Sequence, residues 1–145
     1  MKIIVLGAGL IGYSMAIDLA KDSEFAVSAA DLSDQALDKF DHQHPINCIQ
    51  TDLSKPGKVK SLVSEFDVVI NAVPGFMGYQ TLKSIIEAGK DVIDIAFFHE
   101  DPFELDELAK GKGVTAVVDC GVAPGMSNIL VGHVDALLDS KVNIL

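Results

Sequence analysis

The 145-residue sequence predicts an α/β fold, a doubly wound parallel sheet of about six strands with helices on both faces. Strand patterns alternate with helical patterns along the chain, and several strands are almost continuously apolar, as expected when both faces of a sheet are covered. The first strand also runs directly into a glycine-rich turn that opens the first helix. With right-handed crossovers, the default strand order is 3-2-1-4-5-6.

Each predicted strand is followed by a turn and then by a helical pattern. Ser33 is expected to cap the second helix, Gly89 to end the fourth, and Pro102 to begin the fifth. One domain is expected over 1–140. Residues 141–145 resemble the first strand of a second, truncated domain. The predicted strands are 3–6, 25–30, 46–50, 67–73, 91–96 and 114–118, and the predicted helices are 10–21, 33–40, 58–66, 79–88, 101–111 and 124–138.

The composition narrows the function class. The formal net charge is −10 and arginine is absent, so no basic surface is expected to meet a nucleic acid. Cys48 and Cys120 lie in separate apolar runs, which indicates a reducing compartment and no disulfide framework. No apolar run approaches the roughly 18 residues of a membrane span, so we expect a cytoplasmic protein without a membrane partner. No acidic or cysteine partner completes a metal site with His42 and His44, and none is predicted.

The glycine-rich turn has the sequence GAGLIG between the first strand and the first helix. Gly7 permits a sharp turn, Gly9 leaves the backbone open to a pyrophosphate, and Gly12 allows the helix to pack closely on the strand. The backbone N–H groups near Leu10 and Ile11 would face the phosphates at the positive end of the helix dipole. The turn therefore predicts a Rossmann-type dinucleotide site, with a purely structural strand–turn–helix as the alternative.

Asp31 stands at the tip of the second strand, 19 residues after Gly12. An acidic residue at this place accepts hydrogen bonds from the adenosine ribose hydroxyls. A 2′-phosphate would meet a like charge there without any arginine to receive it, so NAD is predicted and NADP is disfavoured. A helix-capping or solvated aspartate is the alternative interpretation.

Further cofactor contacts are expected where the third and fourth strands end, because ligands bind outside the carboxyl ends of such strands. The adenine is expected beside the end of the third strand and the nicotinamide ribose beside the end of the fourth. Asn71 also fits a polar strand end without a cofactor role. The predicted contacts are Asp52, Leu53, Asn71, Ala72, Val73 and Pro74.

Catalytic residues are less well defined by the sequence. Asp94, His99, Asp119 and Cys120 lie near the carboxyl ends of the fifth and sixth strands and are the candidates. A histidine is suited to proton transfer, although a surface-loop histidine is the alternative, and a cysteine here is more often a buried filler.

Three segments near the end of the chain, 94–109, 114–118 and 121–128, resemble the saccharopine dehydrogenase family, which includes saccharopine reductases and lysine 6-dehydrogenase-like enzymes. The resemblance implies hydride transfer between NAD(P) and the carbon–nitrogen bond of a small amino acid, such as lysine or saccharopine. It also implies a second α+β domain that binds substrate and forms a homodimer, so the fragment alone is expected to be inactive. Saccharopine reductases tend to have Asp where Ala123 stands, which favours the lysine-dehydrogenase side.

A different class of protein shares the size, the glycine motif and the acid at the second strand. Non-enzymatic NAD-sensing domains of the potassium-transport regulator type have these features. The GVAPG turn and the trailing 141–145 favour the enzyme, because a regulatory module needs neither.

Overall fold

A computed structural model describes residues 1–40 and 45–138. The predicted histidine loop with His42 and His44, and the strand predicted at 141–145, lie outside the described residues. The strands are β1 (Lys2–Leu6), β2 (Ala26–Asp31), β3 (Asn47–Gln50), β4 (Val68–Asn71), β5 (Asp91–Asp94) and β6 (Ala116–Val117). The helices are α1 (Leu10–Leu19), α2 (Asp34–Leu37), α3 (Pro56–Val63), α4 (Gly75–Glu87), α5 (Asp106–Lys112) and α6 (Met126–Leu137), with a 3-10 turn at Pro102–Leu105.

The described strands form one parallel sheet in the order β3-β2-β1-β4-β5-β6, which confirms the predicted topology. The chain reverses its direction of winding at β1, which lies between β2 and β4. In a sheet of this kind, the crevice for a ligand lies outside the carboxyl ends of the strands at that reversal. The glycine-rich turn follows β1 and therefore lies in this crevice.

The side chains of β1 are buried on both faces of the sheet, because helices cover both faces. Ile4 and Leu6 lie in a core cluster with residues of α3 and α4, whereas Ile3 and Val5 lie in a second cluster with residues of α1 and α2. All four side chains are at most 3% exposed. Since successive side chains of a strand point to opposite faces, one apolar run serves both cores.

The fourth and fifth helical segments differ from the prediction. Helix α4 begins at Gly75, four residues before the predicted start, because Pro74 takes the extended N-cap conformation and leads directly into the helix. Proline is favoured at helix starts, so the Pro-Gly pair after β4 leads into the helix without an intervening loop. The fifth segment is a 3-10 turn followed by α5, and it ends at the left-handed Gly113 (φ 66°), not near residue 111.

Helix α6 has no buried residue. Its apolar side chains are exposed, including Met126, Ile129, Leu130, Val131, Val134 and Leu137. No helix within the described ranges is long and apolar enough to cross a membrane.

The turn between β1 and α1 has two positions at which only glycine fits. Gly7 has φ 98°, and a Cβ there would lie 2.6 Å from the carbonyl oxygen of Ala72, just after β4. A Cβ on Gly12 would collide with the carbonyl oxygen of Gly7. Helix α1, β1 and the end of β4 therefore meet where no side chain fits.

We expect Gly12→Ala to lower the free energy of unfolding by about 2 kcal/mol, because the new methyl group meets backbone and not a flexible side chain. Gly9→Ala is the matched control in the same turn, since a Cβ on Gly9 has no atom within 4 Å. The control should change stability by less than about 1 kcal/mol. Urea denaturation of both variants checks this, and equal losses would contradict the packing argument.

Candidate functional site

The start of α1 forms the centre of the candidate site. Gly9 is the N-cap residue, and no side chain caps the first helical turn. Leu10 is 85% exposed and Ile11 is 58% exposed, so the turn is open to solvent at the carboxyl ends of the strands. The space beside Gly9 is empty, whereas the spaces beside Gly7 and Gly12 are closed by backbone. This open, uncapped helix start is suited to a phosphate group, as the sequence predicts.

Asp31 is tied to the glycine-rich turn. Its Oδ2 accepts a hydrogen bond from the backbone N–H of Ala8 at 2.7 Å, and its Oδ1 accepts one from the backbone N–H of Ser33 at 2.8 Å. A carboxylate has about four acceptor positions, so each oxygen retains capacity for a further donor. Asp31 therefore positions the turn and also remains able to accept ribose hydroxyls. The cap of α2 itself is Ser33, whose Oγ accepts from the N–H of Ala36.

The two residues predicted beside the adenine behave differently. The carboxylate of Asp52 accepts hydrogen bonds from Oγ of Ser54 at 2.6 Å and from the backbone N–H of Ser54 at 3.0 Å. These bonds lower the pKa of Asp52. The side chain of Leu53 is 8% exposed and packs in the core. Only the backbone of Leu53 is therefore placed for a ligand contact, and the adenine contact stays a prediction.

The carboxyl ends of β4 and β5 are joined by a buried polar pair. Asn71 and Asp94 face each other in register and are 0% and 1% exposed. The Nδ2 of Asn71 donates to Asp94 Oδ2 at 2.5 Å and to the carbonyl oxygen of Gly78 at 3.3 Å. Asp94 Oδ1 accepts from the N–H of Ala96 at 2.7 Å. Asn71 is therefore more than a polar strand end, because it connects β4, α4 and β5.

Burial raises the pKa of Asp94 to about 6, although the hydrogen bonds from Asn71 and Ala96 act in the opposite direction. The negative charge of Asp119 raises it further. Oδ1 of Asn71 is buried and has no hydrogen-bond partner among the described residues. This part of the site thus contains a buried carboxylate whose hydrogen-bond donors are neutral and a buried amide oxygen that lacks a donor.

Two further glycines belong to this region and were not identified from the sequence. A Cβ on Gly75 would collide with the carbonyl oxygen of Phe97, and a Cβ on Gly78 would lie 2.7 Å from Cβ of Ala96 and 2.8 Å from Cδ1 of Phe98. The start of α4 is therefore pressed against the segment that follows β5. A Pro-Gly pair directly after an apolar strand was the available signal.

The other residues after β4 that are predicted to contact the cofactor differ in burial. Ala72 is half-buried, and its N–H donates to Leu6 O at 2.9 Å, which continues the pairing between β4 and β1. Val73 is in the core, whereas Pro74 is exposed at the N-cap of α4. The backbone of 72–74 thus lies beside the glycine-rich turn.

Among the catalytic candidates, Asp94, Asp119 and Cys120 lie together. The backbone N–H of Cys120 donates to Asp94 O at 3.1 Å, and burial with the two nearby carboxylates raises the pKa of the thiol. A raised pKa maintains the unreactive thiol form, which argues against Cys120 as a nucleophile. His99 is exposed, and its ring lies 6.5 Å from that of Phe97.

The comparisons with known proteins identify the family and the fold of the chain. The family model of the saccharopine dehydrogenase NADP binding domain matches residues 3–117. The chain is 25% identical over 132 residues to saccharopine dehydrogenase [NADP(+), L-glutamate-forming] from Pyricularia oryzae, covering 88% of this chain and 28% of that protein. It is 25% identical over 85 residues to alpha-aminoadipic semialdehyde synthase from Arabidopsis thaliana, covering 59% of this chain and 8% of that protein.

Solved structures show the same fold. Apo saccharopine dehydrogenase (L-Glu forming) from Saccharomyces cerevisiae superposes with a TM-score of 0.80 at 22% identity, covering 93% of this chain and 31% of that one. Biliverdin reductase from Synechocystis sp. PCC 6803, solved with biliverdin and NADP+, has a TM-score of 0.62 at 19% identity, with 81% and 37% coverage.

The chain therefore spans between 8% and 37% of the length of these proteins. The family model, in contrast, covers most of the described sheet, from β1 to β6. The chain belongs to the saccharopine dehydrogenase NADP-binding domain family.

Proposed function

We propose that this chain is the cofactor-binding domain of an NAD-dependent oxidoreductase that acts on the CH–NH group of an amino acid of the lysine or saccharopine type. The observation that carries the proposal is the open backbone at Gly9, in a turn whose other glycines are closed by packing. A pyrophosphate needs that open backbone, whereas a structural turn does not. The family match makes a nicotinamide dinucleotide the natural ligand of this turn.

The residues of the chain supply binding and orientation. The N–H groups at the start of α1 would hold the pyrophosphate, Asp31 would accept hydrogen bonds from the adenosine ribose hydroxyls, and the backbone of 72–74 would face the nicotinamide ribose. The dinucleotide, when bound, supplies hydride transfer at the nicotinamide ring. Helix α4 packs closely on the segment after β5 at this side of the cleft, with no room for side chains at Gly75 and Gly78.

Cofactor choice is the finer part of the proposal. The family model and the fungal relative are named for NADP, yet this chain has a carboxylate at Asp31 and no arginine. A 2′-phosphate beside Asp31 would add a second negative charge where two backbone donors already hold a carboxylate. The nearest positive charge downstream in the sequence is Lys39, beyond the far end of α2. We therefore assign NAD.

The remaining assignments concern the whole protein. A small amino-acid substrate and a homodimer of the full-length protein are implied by the family resemblance, a cytoplasmic location is suggested by the two separate cysteines, and all three stand here as proposals. Asp119 and His99 are exposed at the carboxyl end of the sheet and are the candidates for proton transfer. An NAD-sensing regulatory domain would use the same turn, but the match over residues 3–117 favours the oxidoreductase.

Gly9→Val should weaken NAD binding while leaving the fold intact, because the side chain would occupy the pyrophosphate position and its Cβ would have no protein atom within 4 Å. We expect the dissociation constant to rise by about 100-fold or more. Gly111→Val in α5 is the matched control, since its Cβ position is equally open and lies outside the turn. Titration calorimetry and thermal unfolding of both variants check this. Unchanged NAD affinity in folded Gly9→Val would place the site elsewhere.

Asp31→Ser should narrow the preference for NAD over NADP. Losing the ribose hydrogen bonds weakens NAD, and losing the charge relieves NADP, so the initial gap of about ten- to a hundredfold should shrink. Asp31 also accepts a hydrogen bond from Ala8 in the turn, so the substitution can change the stability of the fold. Thermal unfolding is therefore recorded alongside calorimetry with both cofactors. Asp34→Ser removes the same charge three residues away and should preserve the gap. Equal affinities for NAD and NADP in the unaltered chain would overturn the assignment.

A further inference from the structure

The placement of the pair formed by Asn71 and Asp94 has a consequence for cofactor binding. In a doubly wound sheet, one half binds the adenosine side of a dinucleotide and the other half binds the nicotinamide side. The glycine-rich turn and Asp31 lie on the half formed by β1, β2 and β3, so the nicotinamide belongs to the half formed by β4, β5 and β6. Asn71 and Asp94 are the last residues of β4 and β5, at the edge that faces the ligand.

Among residues 1–40 and 45–138, no cationic group forms an ion pair with the carboxylate of Asp94. Its oxygens accept hydrogen bonds from an amide group and a backbone N–H, both neutral. The ion pairs between described residues join Lys21, Lys60 and Lys110 to other carboxylates.

The groups around Asp94 do not compensate its charge either. Helix α4 contributes the carbonyl of Gly78 to the pair, and the loop after β6 contributes the carboxylate of Asp119 and the thiol of Cys120. Of the residues that follow β5, Ala96 donates an N–H, and His99 and Glu100 are exposed. A positively charged group bound at the carboxyl ends of β4 and β5 would therefore be attracted by the carboxylates of Asp94 and Asp119.

We propose that Asp94 makes this domain bind the oxidised nicotinamide dinucleotide more tightly than the reduced one. The inference rests on the proposed function, because it assumes that the nicotinamide lies over β4–β6. The oxidised ring carries a positive charge that is lost on reduction, while the adenosine and pyrophosphate parts remain the same. A buried charge is screened less than a surface charge, so Asp94 can act on the ring without touching it.

The same charge gives the preference a pH dependence. Burial raises the pKa of Asp94 to about 6, so the carboxylate is mostly ionised above neutrality and protonated at about pH 5. The preference for the oxidised dinucleotide should therefore be present at about pH 8 and decline as the pH falls through the pKa of Asp94.

The test is calorimetry of the chain with NAD+, NADH and ADP-ribose at about pH 8. In Asp94→Asn, the ratio of the NADH to the NAD+ dissociation constant should fall by about 3- to 10-fold. ADP-ribose lacks the nicotinamide, so its affinity should not change. Asp91→Asn is the matched control, because Asp91 is an exposed carboxylate at the opposite end of the same strand.

The pH arm uses the unaltered chain and remains informative if the buried substitution prevents folding. The ratio should fall between about pH 8 and about pH 5 in the unaltered chain, and it should stay constant in folded Asp94→Asn. A ratio that is independent of pH in the unaltered chain, or unchanged by Asp94→Asn, overturns the inference while NAD+ binding persists. Binding of no dinucleotide at any pH overturns the proposed function itself.

Discussion

The structure depends on one steric constraint, the close approach of backbone at the switch point of the sheet. Gly12 in α1 lies against the carbonyl of Gly7, and Gly7 lies against the carbonyl of Ala72 after β4. These contacts leave no room for side chains, so they fix α1 relative to β1 and β4. The open space beside Gly9 results from the same arrangement, because the helix start projects from a rigid base. A phosphate site in this position needs both properties, closed packing beneath and open backbone above.

The half of the sheet formed by β4, β5 and β6 is organised in a different way, by a buried polar pair and two glycines. Asn71 and Asp94 join the ends of β4 and β5, while Gly75 and Gly78 let α4 approach the residues after β5. Removal of one partner of such a pair leaves a buried polar group unsatisfied, which costs about 1–3 kcal/mol. The pair therefore supports the edge on which the second half of the cofactor is expected, and it retains a charge there.

The sheet order could be predicted from sequence because several strands are almost continuously apolar and 3-2-1-4-5-6 is the default order of a doubly wound sheet with right-handed crossovers. The glycine-rich turn and Asp31 were also recognisable, since their roles depend on local spacing. The contact between Asp31 and Ala8 was not, because it depends on how β2 lies beside the turn.

The pair formed by Asn71 and Asp94 escaped prediction for the same kind of reason. The two residues are 23 positions apart and meet only through the register of β4 and β5. The early start of α4 was missed because Pro-Gly is compatible with both a turn and a helix start. Pattern and spacing thus predicted the glycine-rich turn after β1 more completely than the contacts that join β4, α4 and β5.

The central claim is that a nicotinamide dinucleotide binds at the carboxyl edge of the sheet, over the glycine-rich turn. The structure also has an apolar groove of about 160 Å³ between α4 and α5, lined by Leu82, Phe103 and Val114, which offers a competing location. Backbone amide spectra of the ¹⁵N-labelled chain during an NAD+ titration distinguish the two. The account predicts the largest shifts at Gly9, Leu10 and the other amides of the turn. Shifts concentrated on the residues of the groove, with the turn unaffected, would contradict it.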